Sequence, residues 1–217
     1  MRTPLWYPYE QGSVAWLKER CGMLTASRMA EAIDFLKGGK EGAARKKLKI
    51  ELIAERMTDT MVSRFVTDAM QWGIDHEPEA RSRYEEVTGE LVTLCGFAIH
   101  GEIPFFGASP DGLVGEGGLV EIKCPTTTTY TEWFLGGVVP DQRKPQMLAQ
   151  LAVTGRRFVD FFAFDPRVKE EAHQHFLRHF EPKEEEIVAV EKAAVLFLTE
   201  IDDLFDKVVN SGQEVTG

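Results

Sequence analysis

Apolar positions change their spacing once along this chain of 217 residues. Up to about residue 90 they recur at three and four residues, the period of a helix with one buried stripe. Residues 10–20 predict a short helix with Trp16 and Leu17 inward. Thr25 reads as an N-cap for a helix through residue 36, because a hydroxyl there can accept an unpaired amide of the first turn. Gly38 and Gly39 form a loop. Residues 41–60 place Leu48, Leu52, Ile53 and Met57 on one stripe, and a further helix runs over 64–87 until Gly89 stops it. Pro78 falls inside that helix and predicts a kink or a break.

From residue 91 the apolar runs shorten and glycine punctuates them, which predicts strands. Segments 92–95, 97–100 and 104–108 precede a pair of short strands around Asp111 and Glu121. Residues 127–135 return to a helix ended by Gly136 and Gly137, and Asp141 heads a helix through residue 153. Residues 158–164 are almost wholly apolar, as a strand buried on both faces requires. Residues 173–180 alternate, as an edge strand does. A long amphipathic helix over 184–209 carries Ile187, Val190, Val195, Leu198 and Leu204. The sum is an α/β fold: one domain over 1–217 with a central mixed sheet flanked by helices. Its parts are a helical region of about 10–90, a core of about 91–180 and an acidic terminal helix.

Composition narrows the setting. No run of 18 apolar residues is present, so no transmembrane helix is expected, and the polar N-terminus does not read as a secretory signal. Cys21, Cys95 and Cys124 make no C-x-x-C pair, which argues against a disulfide framework or a thiolate metal site and fits a reducing cytoplasm. The formal charge of −10 looks adverse for a partner made of phosphates, but ten acidic residues against three lysines lie after residue 180. Lys37, Lys40, Arg45, Lys46, Lys47 and Lys49 form a basic stretch earlier on. It reads equally as a local field for phosphate or as a solvated helix face.

The chemistry concentrates at Ser109-Pro110-Asp111-Gly112 and, ten residues after the aspartate, Glu121-Ile122-Lys123. Alternate residues of a strand share a face, so Glu121 and Lys123 point one way and Ile122 the other. Glycines at 112, 115, 117 and 118 let the chain turn back. If the strands pair, Asp111, Glu121 and Lys123 converge. Two carboxylates suit a hard cation such as Mg2+, and an ammonium beside them can hold a water or a developing anion. That combination suits phosphodiester cleavage.

Four collinear blocks add a resemblance. They are Trp16-Leu17-Lys18-Glu19-Arg20 with Leu24-Thr25-Ala26-Ser27; Trp72-Gly73 with Glu77; the Ser109–Pro125 block; and Gln146-Met147-Leu148-Ala149-Gln150 with Phe164-Asp165-Pro166-Arg167. Together they resemble the phage lambda exonuclease family of the PD-(D/E)xK superfamily. The resemblance implies a restriction-endonuclease-like core and Mg2+-dependent 5′→3′ degradation of one strand of linear duplex DNA, leaving 3′ single-stranded tails for recombination. It also implies a homotrimeric ring, a single-strand annealing partner, and work in the cytoplasm of a bacterial host on behalf of a phage or prophage.

By that resemblance Asp111, Glu121, the Ile122 carbonyl and Glu77 are ligands of about two Mg2+ ions, with Mn2+ as an alternative. Lys123 orients or deprotonates the attacking water, which requires a lowered pKa. Gln146 bonds the water or the scissile phosphate. Arg20, Ser27 and Ser109 hold a terminal 5′-phosphate, and Met70 is the apolar wedge at the terminal base pair. The sequence departs from the family pattern at Arg143, where an aromatic is usual, and at Pro145. Two other readings stay open: an endonuclease or single-strand exonuclease of the same superfamily, and a non-catalytic DNA-end-binding scaffold.

Overall fold

The computed structural model describes residues 3–62 and 66–211; the start of the helix expected from Arg64 lies outside the described residues. In chain order the elements are β1 (Leu5–Tyr7), α1 (Val14–Glu19), β2 (Leu24–Thr25), α2 (Met29–Ala32), α3 (Ala43–Thr58) and α4 (Asp68–Thr88). β3 (Val92–Thr93), β4 (Phe97–Ile99), β5 (Phe106–Ala108), β6 (Gly112–Val114) and β7 (Gly118–Lys123) follow. α5 (Thr127–Gly136), α6 (Lys144–Thr154), β8 (Phe158–Phe164), β9 (His175–Phe180) and α7 (Glu184–Ser211) complete the chain.

Short polar residues and glycines set the helix ends. Ser13 accepts from Trp16 N and Thr67 from Met70 N, each relieving an unpaired first-turn amide. Gly89, Gly137 and Gly155 close α4, α5 and α6 in the left-handed conformation. Pro78 lies inside α4 without dividing it. The helix expected over 25–36 is instead a 3₁₀ turn (Ala26–Arg28) running into the four-residue α2. Thr25 occupies the cap position but makes no side-chain cap bond. Asp141 heads a 3₁₀ turn rather than α6 and pairs with Lys144 at 2.7 Å. That shift follows from Pro145, which sits in the first turn of α6 and supplies its preset φ.

Two mixed sheets replace the single sheet expected. The smaller has the order β1-β4-β5-β2 and the larger β3-β6-β7-β8-β9. The three residues of β1 and the two of β2 were too short to leave a period in the sequence. In the larger sheet β7 and β8 run parallel while every other pair is antiparallel. Side chains of β8 alternate between two cores. Val159, Phe161 and Ala163 pack with Tyr130, Trp133 and Met147 beneath α5 and α6. Phe162 and Phe164 pack with Ala80 and Tyr84 of α4 on the other face. A third core joins the smaller sheet to α2, α3, α6 and α7 through Leu24, Leu48, Phe106, Ala149 and Phe197.

Three residues expected inside are exposed: Leu17, Met57 and Val195, at 37%, 55% and 47%. Each lies on an apolar stripe wider than the core it faces. The basic stretch also differs from its reading as an open field. Arg45 is 1% exposed and bridges Glu41 and Glu200, and Lys49 joins the same two carboxylates. Arg56 pairs with Asp202 at 2.6 Å. Part of the acidic terminal helix is therefore neutralised internally by α3. Within the segment expected as one strand over 173–180, His175 and His179 lie on β9 while His173 ends the preceding 3₁₀ turn.

Candidate active site

The site is built on the β6–β7 hairpin. Gly112 pairs with Val120, so Asp111, one step further on, lies opposite Glu121. Both side chains leave the sheet on the side of α5 and α6. Ile122 faces the other way, into the core with Ala80 and Tyr84. Two glycines are required here. A Cβ on Gly112 would meet Val92 Cγ1 at 2.1 Å, and Gly115 turns the hairpin at φ +50°. The turn ahead of Asp111 is tied down as well: the Pro110 carbonyl accepts from Gln11 Nε2 at 2.8 Å and from the Cys95 thiol at 3.4 Å.

Glu121 is 1% exposed and fully engaged. Lys123 Nζ approaches its Oε1 at 2.5 Å, and the same oxygen accepts from Gln146 Nε2 at 2.6 Å. Gln150 Nε2 donates to Oε2 at 2.6 Å. Gln146 and Gln150 sit one turn apart on α6 and share a face, so the helix delivers two amides to one carboxylate. Gln146 thus touches Glu121 itself. Asp111 Oδ2 accepts from Ile122 N at 2.7 Å and lies 3.9 Å from Lys123 Nζ.

The electrostatics follow from burial. Desolvation, then the charge of Glu121, pushes the Asp111 carboxyl up to about 8, with Glu77 adding to the rise and Lys123 opposing it. Burial alone would pull the Lys123 ammonium down, but Glu121 and Asp111 outweigh it and the net direction is up. That is the reverse of what a lysine acting as a base requires. A lysine clamped between two carboxylates keeps its proton.

Glu77 stands apart from the neighbouring acids. Asp75 and Glu79 are exposed, whereas Glu77 is half-buried and pairs with Arg81 at 2.7 Å. Its charge is felt by both Asp111 and Cys124, at the end of β7. Among the described residues no ready-made cluster of three His, Cys, Asp or Glu side chains awaits an ion. The donor set nevertheless fits a hard divalent cation. Asp111 and Glu121 offer carboxylate oxygens, and a cation between them would favour the charged form of Asp111 that burial and then Glu121 disfavour. The Ile122 carbonyl adds a main-chain oxygen on β7, between Glu121 and Lys123.

A second polar group surrounds Ser109. Its Oγ accepts from Trp16 Nε1 at 2.9 Å and from Arg20 Nη1 at 3.0 Å. The Arg20 guanidinium lies 4.1 Å over the Trp16 ring. Trp16 is expected inward from its helix, and its indole donor to Ser109 leaves no sequence signal. β2 and β5 run parallel with Thr25 opposite Gly107. Ser27 and Ser109 each lie two residues past that pair, so they leave the sheet at the same end. Ser27 is exposed, and its hydroxyl is 3.2 Å from that of Thr25. Met70 is 51% exposed on the first turn of α4.

A buried carboxylate pair with an adjacent lysine, on a mixed sheet covered by helices on both faces, defines the restriction-endonuclease-like nuclease class. Residues 15–157 match the YqaJ-like viral recombinase domain, and the chain belongs to that family. A crystal structure of an alkaline exonuclease, LHK-Exo from Laribacter hongkongensis, superposes with a TM-score of 0.87 at 37% identity, over 94% of this chain and all of that one. The same enzyme in complex with dAMP gives 0.87 at 36% identity, with the same coverage. A phage-related exonuclease from Haemophilus somnus 129PT matches at 0.66 over 86% of this chain and 96% of its own, and at 11% identity the likeness is one of fold. These matches agree with the resemblance to the phage lambda exonuclease family. The chain has no significant match among curated proteins.

Proposed function

We propose that the chain is a metal-dependent deoxyribonuclease that degrades one strand of linear duplex DNA in the 5′→3′ direction, leaving 3′ single-stranded tails for annealing. The observation that carries this reading is the convergence of Asp111, Glu121 and Lys123 on one buried face, with Lys123 Nζ 2.5 Å from Glu121. The 37% identity with an alkaline exonuclease over nearly the whole chain supports it.

In this reading Asp111, Glu121, the Ile122 carbonyl and Glu77 hold Mg2+, two ions per site, with Mn2+ as an alternative. Ions held there would supply Lewis-acid stabilisation of the charge that develops in phosphodiester cleavage. Lys123, kept as an ammonium, orients the water that attacks phosphorus. The P–O3′ bond breaks, the leaving oxygen takes a proton, and the next nucleotide emerges with a fresh 5′-phosphate. Gln146 and Gln150 hold Glu121 in place through its two oxygens. The relative solved with dAMP carries a mononucleotide of the kind this step releases.

Arg20, Ser27 and Ser109 receive the 5′-phosphate. A guanidinium gives a permanently charged fork, and a Ser109 hydroxyl that accepts two bonds still has its own proton to donate. Holding each new 5′-phosphate keeps the enzyme on the strand. Met70, exposed at the start of α4, serves as the wedge at the terminal pair. A homotrimeric ring, a single-strand annealing partner and a cytoplasmic setting complete the proposal. No helix among the described residues is long and apolar enough to cross a membrane.

The test is a digest with Mg2+ of 5′-phosphorylated linear duplex beside closed circular duplex. Linear DNA should fall to single strands and nucleotides, circles should survive, and Asp111→Ala should be inactive. Cut circles point to an endonuclease, and binding without cutting points to a scaffold.

A further inference from the structure

We propose that Arg143 grips a DNA backbone phosphate in the catalytic cleft, a substrate contact supplied by the residue at which this chain departs from its family's aromatic. The inference rests on the nuclease reading above and names a residue that reading does not use.

Arg143 immediately precedes α6, three residues before Gln146 and seven before Gln150. That spacing repeats one helical face, and both glutamines on it reach Glu121. The guanidinium lies 5.4 Å over the ring of Trp133, itself packed against Phe161 beneath the hairpin. The α6 face that Arg143 precedes is therefore the one that meets Glu121, beside which the Lys123 ammonium already stands.

Its bonding leaves it available. The Arg143 Nε is buried and has no hydrogen-bond partner among the described residues. Nor, among them, does its guanidinium enter an ion pair, whereas Arg28, Arg45, Arg81 and Arg167 are each committed to carboxylates. A cation at the N-terminal end of a helix is also on the wrong side of the helix dipole. An anion lying between Arg143 and Lys123 relieves all three conditions: the unmade bond, the uncompensated charge and the adverse dipole. In a cleft built to cut DNA that anion is a phosphate of the strand being cut, which guanidinium binds in a fork that a lysine cannot reproduce.

The test separates this contact from packing on Trp133. Arg143→Met keeps the aliphatic stem, Arg143→Lys keeps the charge, and Arg143→Gln is a second neutral variant should the methionine misfold. Affinity for a 5′-phosphorylated duplex end is measured against salt with EDTA present, so that nothing is cut. Each neutralised phosphate contributes about 0.9 to the slope of log affinity on log salt. The methionine and glutamine variants should lose that amount, and the lysine variant should retain it. In single-turnover digestion with Mg2+ the neutral variants should slow by tenfold or more, and lysine should recover only part of the rate. An unchanged salt slope in both neutral variants overturns the proposal, even if the rate falls, because Arg143 would then act by supporting Gln146. If wild-type protein cuts no DNA at all, it is the nuclease reading that fails, and the slope still decides the contact.

Discussion

Gln150 Nε2 donates to Glu121 Oε2 at 2.6 Å across the seam between α6 and the β6–β7 hairpin. Both residues are buried, so this bond has no water to replace it. Gln150→Leu should destabilise the protein by about 1–3 kcal/mol, because it strips a buried carboxylate of a partner. Chemical denaturation checks the loss. Digestion of linear duplex should slow at the same time, since Glu121 loses one of the two amides that hold it. Wild-type stability in the variant would mean that the bond contributes nothing.

Lys123→Ala should abolish turnover while leaving end-binding within a few-fold of wild type. A positioned group of this kind is worth about 10²–10⁴ in rate. Filter binding beside single-turnover digestion distinguishes the two effects, and parallel losses would assign Lys123 to affinity instead.

Asp111 gives a pH dependence whose sign is fixed. Its folded carboxyl is raised to about 8 from an ordinary value of 3.8. Between those values the folded state holds a proton that the unfolded state has released. Stability from this group is therefore present at low pH and lost as pH rises toward about 8. In EDTA, wild type should lose stability against Asp111→Asn across that interval. Thermal unfolding at pH 5, 7 and 9 makes the comparison, and parallel curves would contradict the raised carboxyl.

Arg20→Ala should erase any preference for 5′-phosphorylated over 5′-hydroxyl ends, because it removes the guanidinium that shares Ser109 Oγ with Trp16. Initial rates on the two substrates provide the measurement. A preference that survives would move the phosphate pocket elsewhere.

Arg45→Ala should cost about 1–3 kcal/mol of stability, because it removes charge-assisted hydrogen bonds to Glu41 and Glu200 while Lys49 still faces both carboxylates, with little change in DNA affinity. Arg45 is spent on Glu41 and Glu200. A large loss of DNA binding without loss of stability would restore the basic stretch as a phosphate surface.

Local pattern determined much of this protein. Glycines at 89, 137 and 155 end helices because only the left-handed conformation closes them there. The apolar run over 158–164 is a strand buried on both faces because no side of it can tolerate water. The hairpin geometry of Asp111, Glu121 and Lys123 followed from a period of two and a glycine turn, both properties of a few consecutive residues. Tertiary structure decided what depends on distant partners. The second sheet forms from strands of two and three residues whose hydrogen bonds come from chain 82 to 94 residues away. The acidic terminal helix meets the basic stretch across 155 residues of sequence, which turns Arg45 from a surface charge into a buried tie. Glu77 differs from Asp75 and Glu79 only because α4 packs with that one position near Asp111. The Lys123 ammonium is raised, against the effect of its burial, because two carboxylates share its pocket. Spacing along a chain records which face a residue takes, whereas its charge state and partners depend on what the fold brings to that face.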